Sequence, residues 1–153
     1  RANMGGDSIT HLIVGGGPWK ERLENAAAQL GLQAPDVVFA GMVPPETVAS
    51  WYQMGDLFVS ASTSETQGLT YIEAAANGLP LLCRQDDCLL DVLKEGENGY
   101  EYTNSDEFLE ALDAVMNPEW QAAASRRSQQ IAAGFDKQVF GDAIESIYDH
   151  ALQ

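Results

Sequence analysis

Short apolar runs alternate along the chain with longer stretches whose apolar positions recur at helical spacing. Residues 9–14, 36–40, 56–60 and 79–83 are the runs, and each is nearly all apolar. That is the pattern of strands buried on both faces of a parallel sheet, because a strand with one face in water would alternate. A further aromatic strand at 100–102 follows an Asn98-Gly99 turn. Between the strands, the spacing predicts helices over 19–30 after Pro18, over 46–54, from Gly68 to Asn77, and over 88–94. Beyond the last strand a helix over 108–116 opens by capping at Ser105 to Glu107, Asn117-Pro118 breaks it, and helices over 119–133 and 136–152 follow. The predicted fold is α/β, a Rossmann-like three-layer sandwich with a parallel sheet. Its ligand crevice is expected at the carboxyl ends of the strands.

Composition narrows the function classes. The chain has 153 residues and a formal net charge of −15, from 23 acidic against 8 basic residues. That balance argues against direct binding to nucleic acid or to an anionic membrane surface. Its cations are also unevenly placed, with no Lys or Arg between Arg22 and Arg84. The start carries no signal-peptide pattern, and a cytoplasmic location is expected. Cys83 and Cys88 make no disulfide framework and read as buried thiols. His11 and His150 have no nucleophile beside them and read as structural or surface residues. Asp86-Asp87 lacks a third ligand nearby, so no metal is expected.

The candidate chemistry lies between Ser60 and Pro80. Gly68, at the opening of a helix, lets a ligand approach the backbone where free N–H groups and partial positive charge meet. The visitor that fits is an anion such as a phosphate. Glu65 in the loop and Glu73 in the helix flank this seat, and carboxylates accept hydrogen bonds from sugar hydroxyls. Taken alone, Glu65 reads equally as a loop acid in water and Glu73 as a helix surface acid. Gly15, Gly16 and Gly17 after the first strand read either as backbone approaching a ligand or as a tight turn.

Glu65 and Glu73 with seven residues between them, Gly68-Leu69 inside, then Glu-Ala-x-Ala-x-Gly-x-Pro from Glu73 to Pro80, resemble the signature of retaining glycosyltransferases of the GT-B architecture. Within that family the wording around Glu65 to Glu73 is most similar to bacterial diacylglycerol glucosyltransferases. The resemblance implies that the whole chain, 1–153, is the nucleotide-sugar donor-binding domain, one half of a GT-B fold. The acceptor-binding domain, and the Arg and Lys that grip the diphosphate, would then lie upstream of Arg1. Carried across, Glu73 holds the ribose hydroxyls. Glu65, the candidate catalytic residue, holds the donor sugar's hydroxyls and is not a nucleophile. Gly68, Leu69 and Thr70 contact sugar and diphosphate through their backbone. Gly15 and Gly17 line the nucleotide cleft, and the backbone of Met42, Val43 and Pro44 meets the base. Gly16 stands where the family often has Asp, and Asp86-Asp87 and Asp91 stand where it often has Gly-Gly and a Glu.

The expected substrate is a nucleoside diphosphate sugar, a UDP-sugar before a GDP-sugar, with no separate cofactor and no metal. The expected activity is hexosyl transfer with retention to a glycolipid or polysaccharide precursor. It belongs to the full-length enzyme, peripheral at the cytoplasmic membrane face, with the isolated domain inactive. The alternative is a stand-alone nucleotide-sugar-binding subunit or regulatory module that needs a partner chain.

Overall fold

The structure, a computed structural model, describes residues 9–63 and 68–136. Glu65 and nearly all of the helix expected over 136–152 lie outside the described residues. The chain divides into two compact units, Arg1–Trp51 and Tyr52–Gln153.

In the first unit, β1 (His11–Val14) pairs in parallel with β2 (Val37–Gly41), with α1 (Lys20–Gln29) between them in sequence. Gly31, at φ +70°, closes the turn after α1, which is why the helical pattern stops there. A 3₁₀ turn at Pro45–Thr47 follows β2 and runs into α2 (Val48–Tyr52). The expected 46–54 helix is therefore split between two helix types.

In the second unit, β3 (Phe58–Ser60), β4 (Leu81–Arg84) and β5 (Gly99–Tyr102) form a parallel sheet in that order. The central strand explains the layers. Leu81 and Cys83 pack with Tyr71, Ala74 and Ala75 of α3 (Leu69–Ala76). Leu82, on the opposite face, packs with Tyr102 and with Ala111 of α4 (Ser105–Val115). Side chains alternate across a strand, so an unbroken apolar run feeds two cores at once. The last described helix, α5 (Pro118–Ala132), contributes the buried Ala124, Ser128 and Ala132.

The expected α/β fold with parallel strands is present, with β1-β2 pairing in the first unit and β3-β4-β5 in the second. Apolar runs predict that strands exist and run parallel, but they do not encode which edges pair. One expectation is corrected. The helix expected over 88–94 is a single 3₁₀ turn, Asp87–Leu89. Asp86 Oδ1 accepts the Cys88 N–H at 2.9 Å, and this local side-chain turn competes with an α-helical start.

Asn98-Gly99 also does more than turn. Asn98 is fully buried, with its side chain bonded to Val92 O, Ser128 Oγ and the Lys94 N–H. Gly99 opens β5 where a Cβ would stand 2.2 Å from the Leu81 carbonyl oxygen, so only glycine lets the two strands pair.

Candidate functional site

In the first unit the expected residues gather at the carboxyl ends of β1 and β2. The Gly15 N–H donates to the Gly41 carbonyl at 2.8 Å, tying the two strand exits together. Gly15 has φ +127°, a conformation open to glycine, and no atom lies within 4 Å of the position its Cβ would take. Gly17 likewise faces open space. Met42, Val43 and Pro44 follow β2 directly, and Met42 and Pro44 are exposed. The backbone of both loops is thus accessible from solvent.

In the second unit Gly68 is the N-cap of α3 at φ +61°. It is buried, and a Cβ there would meet the Cys88 carbonyl oxygen at 3.2 Å and Tyr71 Cδ2 at 3.3 Å. Glycine is thus required by its left-handed backbone and by the packed Cys88 turn, a reason the sequence did not display. The N–H groups of Leu69 and Thr70 have no acceptor within the helix, and Gly68 supplies no side-chain cap. Leu69 and Thr70 are both exposed.

Glu73 is exposed on α3, whereas its neighbours Tyr71, Ala74 and Ala75 are fully buried. Its Oε2 accepts a hydrogen bond from Tyr52 Oη at 3.1 Å. Tyr52 in turn packs against Phe58, and Phe58 meets Tyr71 edge-on, with ring centroids 6.0 and 6.2 Å apart. An aromatic chain thereby holds Tyr52 against the carboxylate. Tyr52 escaped the sequence reading because it lies 21 residues from Glu73 with no local pattern linking them.

Arg84 ends β4 and is exposed beside Tyr102 in register. Tyr102 Oη donates to the Ser60 carbonyl at 3.0 Å, clamping the last residue of β3, from which the Glu65 loop departs. Burial pushes the Cys83 thiol up to about 12, so it is an inert core residue. Cys88 is only half-buried. Among the described residues no group of three or more His, Cys, Asp or Glu side chains is arranged to hold a metal ion. No helix among them is long and apolar enough to cross a membrane.

A parallel α/β fold whose helices follow its strands defines a class in which ligand crevices lie at the carboxyl ends of the strands. The family model for glycosyl transferases group 1 matches residues 4–134, and the chain belongs to that family. It is similar to the alpha-monoglucosyldiacylglycerol synthase of Streptococcus pneumoniae, 31% identical over 96% of this chain and 34% of that protein. The enzyme of the same name from Acholeplasma laidlawii is 32% identical over 90% of this chain and 34% of its own length. The chain thus spans about a third of the length of these curated relatives. Among solved structures, the pneumococcal O-GlcNAc transferase GtfA in complex with UDP and GlcNAc matches with a TM-score of 0.77. That match is at 24% identity and covers 92% of this chain and 29% of the other. The fold is that of the GT-B glycosyltransferase structures.

Proposed function

We propose that this chain binds a nucleoside diphosphate sugar, a UDP-hexose, as the donor-binding part of a longer retaining glycosyltransferase. The observation that carries the reading is the start of α3, where the N–H groups of the exposed Leu69 and Thr70 have no acceptor within the helix and the exposed Glu73 follows about one turn on. Those donors face a diphosphate, and the helix N-terminus favours its charge. Glu73, steadied by Tyr52, takes the ribose hydroxyls, and Glu65 takes those of the sugar. The family resemblance supports a nucleotide contact for Gly15, Gly17 and the backbone of Met42, Val43 and Pro44 in the first unit. The leaving diphosphate gathers negative charge as the sugar departs, and fixed backbone donors stabilise that charge without reorganising.

The acceptor is a diacylglycerol-type glycolipid or a polysaccharide precursor, on the cytoplasmic side of a membrane. The relatives named as monoglucosyldiacylglycerol synthases support the lipid acceptor.

Calorimetric titration with uridine diphosphate and its glucose conjugate tests the donor site. Wild-type protein is expected to bind at roughly millimolar Kd or tighter, about −4 kcal/mol or better. Glu73→Ala weakens both ligands together. Glu65→Ala leaves uridine diphosphate unchanged and removes the advantage of the glucose conjugate. Equal affinities across wild type and both variants overturn the assignment.

A further inference from the structure

Glu73 follows Thr70 by three residues and Leu69 by four, so it shares their exposed face of α3. Its side chain leans toward the helix start, because Cα–Cβ bonds in a helix tilt toward the N-terminus. An exposed glutamate on its own samples many rotamers and loses that freedom when it is ordered by a ligand. Glu73 is not on its own. Tyr52 Oη donates to its Oε2 at 3.1 Å. The Tyr52 ring packs on Phe58, and Phe58 on the fully buried Tyr71, so the hydroxyl is presented from the edge of the hydrophobic core.

The backbone at both ends of this bond is also held. The Gly55 N–H donates to the Tyr52 carbonyl at 3.0 Å. The Glu73 carbonyl accepts from the N–H of Asn77 at 3.1 Å and from its side-chain amide at 2.9 Å. Beside the tyrosine, Gln53 Nε2 donates to Asn77 Oδ1 at 3.4 Å. The segment that ends α2 thus reaches α3 through neighbouring side chains, Tyr52 to Glu73 and Gln53 to Asn77. They differ in what they hold. Gln53 holds a residue that closes the helix, whereas Tyr52 holds a carboxylate that keeps acceptor capacity on both oxygens.

We infer that Tyr52 is a positioning residue for Glu73, its hydroxyl fixing the carboxylate in advance in the orientation that receives the paired hydroxyls of a ribose. The inference rests on the nucleotide-sugar reading and adds to it the side chain on which selectivity for those hydroxyls depends. A carboxylate accepts from two adjacent hydroxyls at once only when both oxygens face them together. With Oε2 already tied to Tyr52, that geometry exists before the ligand arrives, and less freedom is lost on binding.

The test is titration of the whole chain with uridine diphosphate, its dideoxy analogue lacking both ribose hydroxyls, and inorganic pyrophosphate. Tyr52→Phe keeps the ring and removes only the hydroxyl. It is expected to weaken uridine diphosphate roughly two- to tenfold, the span of one ordinary hydrogen bond. The affinities for the dideoxy analogue and for pyrophosphate stay unchanged. On a Glu73→Ala background the same substitution should cause no further loss, because its partner is gone. Gln53→Ala, which removes the neighbouring bond, should leave all three affinities as they are. If wild type binds none of the ligands, or binds uridine diphosphate and its dideoxy analogue equally, the ribose role of Glu73 falls and takes this inference with it. If wild type prefers the ribose and Tyr52→Phe keeps that preference in full, the positioning role alone is overturned. It is overturned too if Tyr52→Phe weakens all three ligands alike or if Gln53→Ala matches it, since either result makes the bond merely structural.

Discussion

Two helices of the second unit start just after a parallel strand, α3 after β3 and α4 after β5, and their first turns are finished in opposite ways. At α4, Asn104 Oδ1 accepts the N–H groups of Asp106 and Glu107, each at 3.0 Å. Glu107 reaches back and accepts from both the N–H and the hydroxyl of Thr103 at 2.7 Å. The next helix, α5, is closed the same way, with Asn117 capping Glu119 and Trp120 and Pro118 at the first helical position. At α3 the capping residue is Gly68, which has no side chain to offer, and the first two N–H groups have no acceptor within the helix. All three helices pack into the second unit, and α3 alone of them starts without a side-chain cap, so the partial charge that a cap would neutralise stays available there.

The largest test of this contrast is Gly68→Ala. A left-handed backbone costs a non-glycine residue about 1–2 kcal/mol. The new methyl would also press on Cys88 and Tyr71 at 3.2–3.3 Å. We expect a loss of roughly 2–4 kcal/mol in urea unfolding, together with weakened uridine diphosphate binding as the helix start shifts. A variant within about 0.5 kcal/mol of wild type, the spread of ordinary surface substitutions, would remove the structural reason for glycine.

Asn104→Ala is the matched experiment on the closed helix. It should cost about 1 kcal/mol of stability, the usual worth of an asparagine cap, and leave nucleotide affinity unchanged. A fall in nucleotide affinity at constant stability would mean that α4 belongs to the site and that caps do not separate the two kinds of helix.

How much of this was legible in the sequence follows the same division. Strand runs, the glycine stops at Gly31 and Gly78, and the start and end of α3 were readable because each depends on neighbouring residues. The caps were readable to within a residue or two. The sequence pointed to Ser105 where Asn104 does the capping, and it read Asn117-Pro118 as a break where it is the start of α5. What could not be read depends on partners distant in sequence. Tyr52 on Glu73, Tyr102 on Ser60, and the carbonyl of Leu81 against Gly99 all need the fold before they exist. The order β3-β4-β5 belongs with them, since pairing is a tertiary fact.

The smallest effect concerns the acid at the closed helix. The hydroxyl of Thr103, then its N–H, hold the Glu107 carboxyl below its ordinary value. A folded pKa below the unfolded one adds stability that is present above about pH 4.3, the unperturbed glutamate value. That stability is lost as the pH falls through the folded value. Glu107→Gln should therefore lower the urea midpoint slightly at neutral pH, and the gap to wild type should close on acidification. Because Glu107 is exposed, solvent screens the interaction and the effect stays below that of Asn104→Ala. Midpoints measured from neutral pH down to about pH 2.5, below the usual carboxylate range, decide it. Two parallel curves would show that the carboxylate adds nothing and that Asn104 alone closes the helix. Converging curves would establish an acid-sensitive lock at α4 that α3 lacks, since α3 has no acidic residue in its first turn.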